Sequence, residues 1–169
     1  MVASGGAGDK ADFRRFFRQN SVLTEIPKEA FLDNVSLTGC NITSNVKTIG
    51  ESAFEGCLGL TDIVIPSSVE TIEESAFANC SALSGLSFKS GVTSIGDSAF
   101  IGCTLLESVE LPKSVISIGA EAFSGCTKLS EVSIPKNTLK IKSAAFAGCA
   151  FKEITINKIC SYQSDSFPE

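Results

Sequence analysis

The chain has 169 residues, of which 43% are hydrophobic and 20% are charged, and these values predict one folded domain rather than a disordered chain. It contains no histidine, which removes the commonest general base, the commonest metal ligand, and the Ser–His and Cys–His pairs of many hydrolases. Its net charge of −5 argues against a nucleic-acid partner, because such partners require a basic face.

The first 20 residues differ from the rest of the chain in charge. They contain all three arginines and carry a net charge of +2, whereas the remaining residues carry −7. Residues 1–9 are small and polar, so we expect a flexible N-terminus without a secretory signal. Neither here nor later does any apolar run approach the roughly 18 residues of a transmembrane helix.

The pattern of residues 10–20 predicts an amphipathic capping helix. Phe13, Phe16 and Phe17 share one helical face, because they lie at positions i, i+3 and i+4. This face can cover the apolar end of the structure that follows. The alternative is a docking helix, in which the phenylalanines bind a partner groove or residues 12–18 contact a membrane surface. We expect the cap, since one apolar face cannot serve both purposes and the segment is shorter than most interfacial helices.

An Ala-Phe pair then recurs every 23 residues along the chain. The repeated phenylalanines are Phe31, Phe54, Phe77, Phe100, Phe123 and Phe146. Such a constant interval marks an internal repeat, and each unit is too short to bury its own apolar face, so the units must stack into a solenoid. We predict six units over residues 21–157, followed by a C-terminal cap or tail over residues 158–169.

The sequence pattern of each unit predicts two short strands and a turn. Ile63 and Ile65 form a period-two pair, which predicts a strand whose alternate side chains are buried. Pro66 ends this strand, and residues 69–72 predict a second short strand. A glycine at the position of Gly50 permits a tight turn into Ser-Ala-Phe, which can form a single helical turn at most.

The repeated pattern Leu-x-x-Val-x-Ile-Pro-x-Ser-Val-x-x-Ile-Gly-x-x-Ala-Phe-x-x-Cys resembles the BspA-type leucine-rich repeats over about residues 22–156. The resemblance implies a right-handed solenoid of short parallel β-strands with single helical turns. It also implies adhesion or protein binding, the roles ascribed to members from bacterial surfaces and protists. The chain departs from the pattern where Asn34 stands in the cysteine column and Lys89 replaces the proline. After a one-residue deletion, Phe151 takes the leucine position.

Five of the seven cysteines occupy one column of the repeat. They are Cys57, Cys80, Cys103, Cys126 and Cys149. Stacked side chains about 4.8 Å apart hold their Cβ atoms too far apart for an unstrained disulfide, and a metal site needs ligands that converge. We therefore expect buried, reduced thiols that behave as small hydrophobic residues, with no metal and no cofactor. Reduced thiols favour an intracellular location, with the extracellular surface as the alternative.

The first strand of each unit carries guest residues between its buried positions, and these form the predicted binding face. The candidate residues are Asp62, Val64, Ser87, Glu107, Glu110, Glu131 and Ser133. The family resemblance implies that partners bind this sheet, which is small, polar and mildly acidic here. The alternative is an ordinary solvated face whose charges keep the protein soluble. Phe13, Phe16 and Phe17 are the second candidate set, for the case in which the N-terminal helix docks a partner.

These features predict a non-catalytic protein–protein interaction or scaffold module with a protein partner, free or as a subunit of a larger assembly. The alternative is a secreted or cell-surface adhesin that binds host or matrix proteins. A third class is a carboxylate hydrolase that uses Glu107, Glu110 and Glu131. We reject it because an open solenoid face offers no pocket that excludes water.

Overall fold

The stacking of repeat units determines the architecture. A computed structural model of the chain describes residues 22–151, 160–163 and 165–167. Strand residues pair in parallel with the residues one unit later, as Thr48 does with Thr71. The predicted repeat solenoid of short parallel strands is therefore confirmed.

The described residues form twelve strands of two to four residues each. In chain order these strands are β1 (Glu25–Ile26), β2 (Gly39–Asn41), β3 (Thr48–Ile49), β4 (Asp62–Ile65), β5 (Thr71–Ile72), β6 (Gly85–Phe88), β7 (Ser94–Ile95), β8 (Ser108–Glu110), β9 (Ser117–Ile118), β10 (Glu131–Ser133), β11 (Lys140–Ile141) and β12 (Ser161–Tyr162).

The strands form two sides of the solenoid. One side is a continuous sheet of seven strands in the order β1-β3-β5-β7-β9-β11-β12. The other side is a divided sheet, with β2-β4-β6 in one part and β8-β10 in the other. Each unit thus contributes one strand to each side, and the apolar residues between the two sides form the core.

Phenylalanine rings form the centre of this core. The six repeated phenylalanines stack face to face, with neighbouring ring centroids 4.9–5.3 Å apart. This separation is close to the distance between neighbouring strands, so one ring per turn produces a continuous column. Phe167 extends the column, with its centroid 5.4 Å from that of Phe146. Phe151, predicted at a leucine position, packs edge-on against Phe146.

The turn between the two sides is not helical. Ser52 has a φ of 52° and Gly56 a φ of 69°, and a helix cannot continue through left-handed residues. The N–H of Cys57 donates to the Phe54 carbonyl at 3.1 Å, but the N–H of Phe54 donates to the Ala76 carbonyl of the next unit at 2.7 Å. Successive backbone N–H groups therefore donate in turn to a carbonyl of the next unit and to a carbonyl of the same unit. The predicted single helical turns are not found in the described residues.

The predicted capping helix over residues 10–20 lies outside the described residues, and so do Phe13, Phe16 and Phe17. Within the part that the structure describes, no helix is long and apolar enough to span a membrane.

Candidate binding face

Six of the seven residues predicted for the sheet lie on strands whose side chains alternate between core and solvent, and Glu107 directly precedes β8. In β4, Ile63 and Ile65 are buried. Asp62 precedes Ile63 and Val64 lies between the two isoleucines, and both residues are exposed. We call the exposed side of the divided sheet the strand face. All seven residues predicted for this side are exposed, namely Asp62, Val64, Ser87, Glu107, Glu110, Glu131 and Ser133.

The strand register places some of these residues next to each other. Val64 pairs with Ser87, and Glu110 pairs with Ser133, so the members of each pair lie about 4.8 Å apart along the stack. Asp62 instead pairs with Gly85. Its carboxylate occupies the space that a side chain at position 85 would need. The strand face is therefore assembled in columns, one residue per unit.

A break divides the strand face between β6 and β8. The N–H of Thr61 donates to the Thr38 carbonyl at 3.1 Å, and the N–H of Ser84 donates to the Thr61 carbonyl at 3.0 Å. The N–H of Ser130 makes the same bond to the Glu107 carbonyl at 3.0 Å. Within the described residues, no such bond joins Glu107 to Ser84, and β6 does not pair with β8. The alternation in β6 and β8 did not predict this break.

Ion pairs lie beside the continuous sheet. The Nζ atom of Lys28 is 2.8 Å from the carboxylate of Glu51, and the hydrogen bond between them raises the pKa of Lys28. The Nζ atom of Lys47 is 2.9 Å from the carboxylate of Glu70. These residues flank β1, β3 and β5, so each of these two ion pairs joins adjacent units.

The carboxylates of the strand face form no ion pair within the described residues, and neither do Glu25, Glu74 and Glu121 outside it. The carboxylates of the strand face are Asp62, Glu107, Glu110 and Glu131. Lys113 and Lys136 are exposed beyond the carboxyl ends of β8 and β10. The strand face therefore carries exposed carboxylates, with lysines beyond its strands and exposed Lys128 before β10.

A groove of about 290 Å³ lies on the continuous sheet, across β5, β7 and β9. Gly96 and Gly119 contribute to its lining. A Cβ atom at Gly119 would collide with the backbone of the preceding unit. Lys142 stands at the edge of the groove, and its Nζ atom lies 2.8 Å from Oδ1 of Asp97. We did not predict this groove from the sequence, although aligning the units places Gly96, Gly119 and Lys142 in one column.

The groove offers little for catalysis. The hydrogen bond from Lys142 lowers the pKa of Asp97, and the backbone N–H of Ala120 donates to the same carboxylate at 2.8 Å. A carboxylate with these partners is held ionised and is a poor general acid near neutral pH. The volume is also slightly below the range that is typical of small-molecule sites.

The cysteine column forms hydrogen bonds that the sequence did not indicate. Each Sγ atom in the column donates to the carbonyl of the phenylalanine 26 residues earlier, at 3.1–3.4 Å, as Cys57 does to Phe31. Asn34, predicted to occupy the same column, is buried. The five cysteines of the column are buried, which confirms the predicted burial, whereas their reduced state stays a prediction.

Burial also makes these thiols unreactive. Desolvation raises the pKa of Cys57 to about 11 and the pKa of Cys80 and Cys149 to about 12. A thiol with such a pKa forms almost no thiolate at neutral pH, and the thiolate is both the nucleophile and the metal ligand. Within the described residues, no cluster of three or more His, Cys, Asp or Glu side chains could hold a metal ion. The column therefore contributes to packing rather than to chemistry.

Comparisons with known proteins agree with this geometry. The profile of the BspA type leucine rich repeat region matches the chain in six copies, over residues 24–149 and 96–168. A comparison with curated proteins finds no significant match.

Several solved structures are similar to the chain. A leucine rich cell surface protein from Faecalibacterium prausnitzii is 32% identical with a TM-score of 0.74, over 83% of this chain and 38% of that protein. The leucine rich repeat protein of T. pallidum is 31% identical with a TM-score of 0.70, over 87% of this chain and 64% of that protein. A leucine-rich repeat protein from Eubacterium ventriosum is 28% identical with a TM-score of 0.75, over 86% of this chain and 42% of that protein. The chain thus spans less than two thirds of each of these proteins.

Proposed function

Because the chain belongs to the BspA-type leucine-rich repeat family, we propose that it is a non-catalytic protein-interaction module that binds its partner through the strand face. The observation that carries this proposal is the exposure of all seven guest residues, six of them on strands of the divided sheet and Glu107 directly before β8. Stacked columns of small and polar side chains present an extended surface to a second protein, and such surfaces are the usual binding sites of solenoid proteins.

The features of the strand face support this choice over the continuous sheet. Val64 is 49% exposed at the centre of a column, where it offers apolar contact area. Ser87 and Ser133 offer hydroxyl groups for hydrogen bonds beside it and beside Glu110. The continuous sheet, by contrast, uses Lys47 and other charged residues in ion pairs within the chain.

The second candidate function is cell-surface adhesion. The observation that favours it is the similarity to the Faecalibacterium prausnitzii protein, which is described as a cell surface protein. Adhesion would use the same strand face, with a host or matrix protein as the partner. Because the chain covers only part of that protein, a role as one segment or subunit of a larger assembly is part of the same proposal.

The N-terminal phenylalanines remain a separate prediction. Phe13, Phe16 and Phe17 are expected to cap the first repeat, and a docking role for them is the alternative. Residues 12–18 are the segment through which contact with a membrane surface would occur.

Site-specific photo-crosslinking tests the proposed binding face. A photoreactive phenylalanine analogue is placed at Val64 in one variant and at Leu139 in another. Both side chains are aliphatic and 49% exposed, but Leu139 lies on the continuous-sheet side. In extracts of the native source, protein adducts should form at Val64 but not at Leu139. Adducts of equal yield at Val64 and Leu139 would show that the strand face is not the binding surface.

A further inference from the structure

The turns that join β8 to β9 and β10 to β11 form one edge of the solenoid, and this edge exposes two neighbouring aliphatic side chains. Ile116 is 46% exposed and Leu139 is 49% exposed. The N–H of Leu139 donates to the Ile116 carbonyl at 2.8 Å, so the two residues share one column and lie about 4.8 Å apart. Adjacent exposed apolar residues with polar groups around them are typical of interaction sites.

The same column carries different residues in the earlier units. Backbone hydrogen bonds of 2.8–2.9 Å connect, in this order, Lys47, Glu70, Thr93, Ile116 and Leu139. Lys47 and Glu70 form an ion pair there, so the fold accepts charged side chains at this position. Packing of the core therefore does not require the exposed aliphatic pair of the later units.

Lysines flank this aliphatic pair. Lys113 and Lys136 are exposed in the two turns, at a position that is serine in the two preceding units. Lys140 is exposed directly after the pair. Residues 111–120 and 132–150 contain no aspartate or glutamate. Both the aliphatic and the cationic positions thus change together in the same two units. We call this surface the basic edge, and it consists of Lys113, Ile116, Lys136, Leu139 and Lys140.

We propose that the basic edge binds the surface of a membrane that contains anionic lipids. Its lysines attract the negative headgroups, and the aliphatic pair enters the boundary between headgroups and acyl chains. A polyanion such as a nucleic acid would leave the aliphatic pair in water. A protein partner would need pockets shaped for both side chains, whereas a fluid lipid surface accepts apolar side chains on an exposed turn without such pockets.

The charge of the whole chain determines how it lies on such a surface. A net charge of −5 opposes contact through the acidic parts of the molecule. The attraction of the lysines is local, because charges are screened beyond a Debye length of about 10 Å at moderate salt. Among the described residues, the basic edge is therefore the part that faces the lipid. The strand face lies on one of the two sides that meet at this edge, so it stays accessible to a protein partner.

Cosedimentation of the full chain with lipid vesicles tests the proposal. The chain should bind vesicles of equal parts phosphatidylserine and phosphatidylcholine but not vesicles of phosphatidylcholine alone, and added salt should weaken binding. The double variant Ile116→Ser, Leu139→Ser should bind about tenfold more weakly. The double variant Lys113→Gln, Lys140→Gln should also bind about tenfold more weakly. All four positions are exposed, so the substitutions leave the core unchanged.

Each double variant has a matched control. Val35→Ser, Leu58→Ser removes an exposed aliphatic pair that also shares one column but has Asp33 beside it instead of lysines. Lys28→Gln, Lys128→Gln removes the same charge from exposed positions outside the basic edge. Both controls should bind within about twofold of the unchanged chain.

Three results would overturn the proposal. The first is failure of the unchanged chain to bind the anionic vesicles, and protein adducts at Leu139 in that case would indicate an acidic protein partner instead. The second is equal weakening in the controls and in the variants of the basic edge. The third is binding that is lost in Arg14→Gln, Arg15→Gln, Arg18→Gln but kept in both variants of the basic edge, which would assign the lipid contact to the N-terminal segment.

Discussion

The Nζ atom of Lys142 lies 2.8 Å from Oδ1 of Asp97, although the two residues are 45 positions apart in the sequence. They belong to units separated by one intervening unit, and that unit contributes Gly119 at the corresponding position. A glycine there leaves room for the lysine side chain to reach back across a full turn of the solenoid. The ion pair thus spans three successive units on the continuous-sheet side.

Asp97→Asn should reduce stability at neutral pH but not in strong acid. The pKa of Asp97 is lowered from its ordinary value of 3.8, first by the hydrogen bond from Lys142. A lowered pKa stabilises the folded chain above that ordinary value, and this contribution disappears as the pH falls through the lower folded value. The side chain is 43% exposed, so solvent screening limits the effect to less than about 1 kcal/mol.

Urea unfolding of the unchanged chain and of Asp97→Asn, at neutral pH and at about pH 2, measures this difference. The control is Asp62→Asn, since Asp62 forms no ion pair in the described residues and should show no such convergence. A deficit in Asp97→Asn that persists undiminished in acid would contradict the assignment.

Phe100→Ala should destabilise the solenoid by about 3–5 kcal/mol. The ring of Phe100 is fully buried and stacks between Phe77 and Phe123, with centroids 5.1 Å away on each side. Its removal leaves a cavity in the middle of the column. The comparison variant is Glu110→Ala on the strand face, which should cost less than about 1 kcal/mol. Chemical denaturation compares them, and equal midpoints and slopes would disprove the proposed register.

Much of this core could be predicted from the sequence. The interval of 23 residues determines the stacking, and one ring per turn at strand spacing requires a column of phenylalanines. The alternation around Ile63 and Ile65 likewise predicts which residues of β4 face solvent. Six of the seven candidate residues could be placed on the exposed side for this reason, whereas Glu107, which directly precedes β8, does not follow from the alternation.

The turns could not be predicted in the same way. Ser-Ala-Phe contains nothing that prevents a helical turn, yet Ser52 adopts a left-handed conformation. The bond that accompanies this conformation runs from the N–H of Ser52 to the Glu74 carbonyl of the next unit. Such a bond forms only after the units stack, so no local sequence pattern predicts it. The break between β6 and β8 is hidden for a similar reason, because both strands show the same alternation as strands that pair.

Ala144→Gly should stabilise the chain by about 0.5 kcal/mol, because two effects of opposite sign nearly cancel. Ala144 has a φ of 52°, and glycine relieves the clash of its Cβ atom in this left-handed conformation but gains more entropy on unfolding. The control is Ala147→Gly in the same turn, where φ is not positive and glycine should destabilise by about 0.5–1 kcal/mol. Thermal and urea unfolding measure both variants, and the same sign for both would refute the argument.

The column thiols should resist alkylation in the folded protein. Cys57, Cys80 and Cys149 are buried, have a raised pKa, and donate hydrogen bonds to backbone carbonyls. Without reductant, iodoacetamide should label few of them, and unfolding in urea should expose all as free thiols. Intact-mass spectrometry counts the labels. Masses that reveal disulfides between neighbouring units would contradict the reduced column.

Hydrogen–deuterium exchange shows directly whether the strand face binds the partner. Exchange is measured on the full chain with and without the partner that crosslinks at Val64. We expect slower exchange on binding in β4, β6, β8 and β10 and in the residues just before them, with no change in β5, β7 and β9. Protection confined to the continuous sheet, with the strand face unchanged, would contradict it.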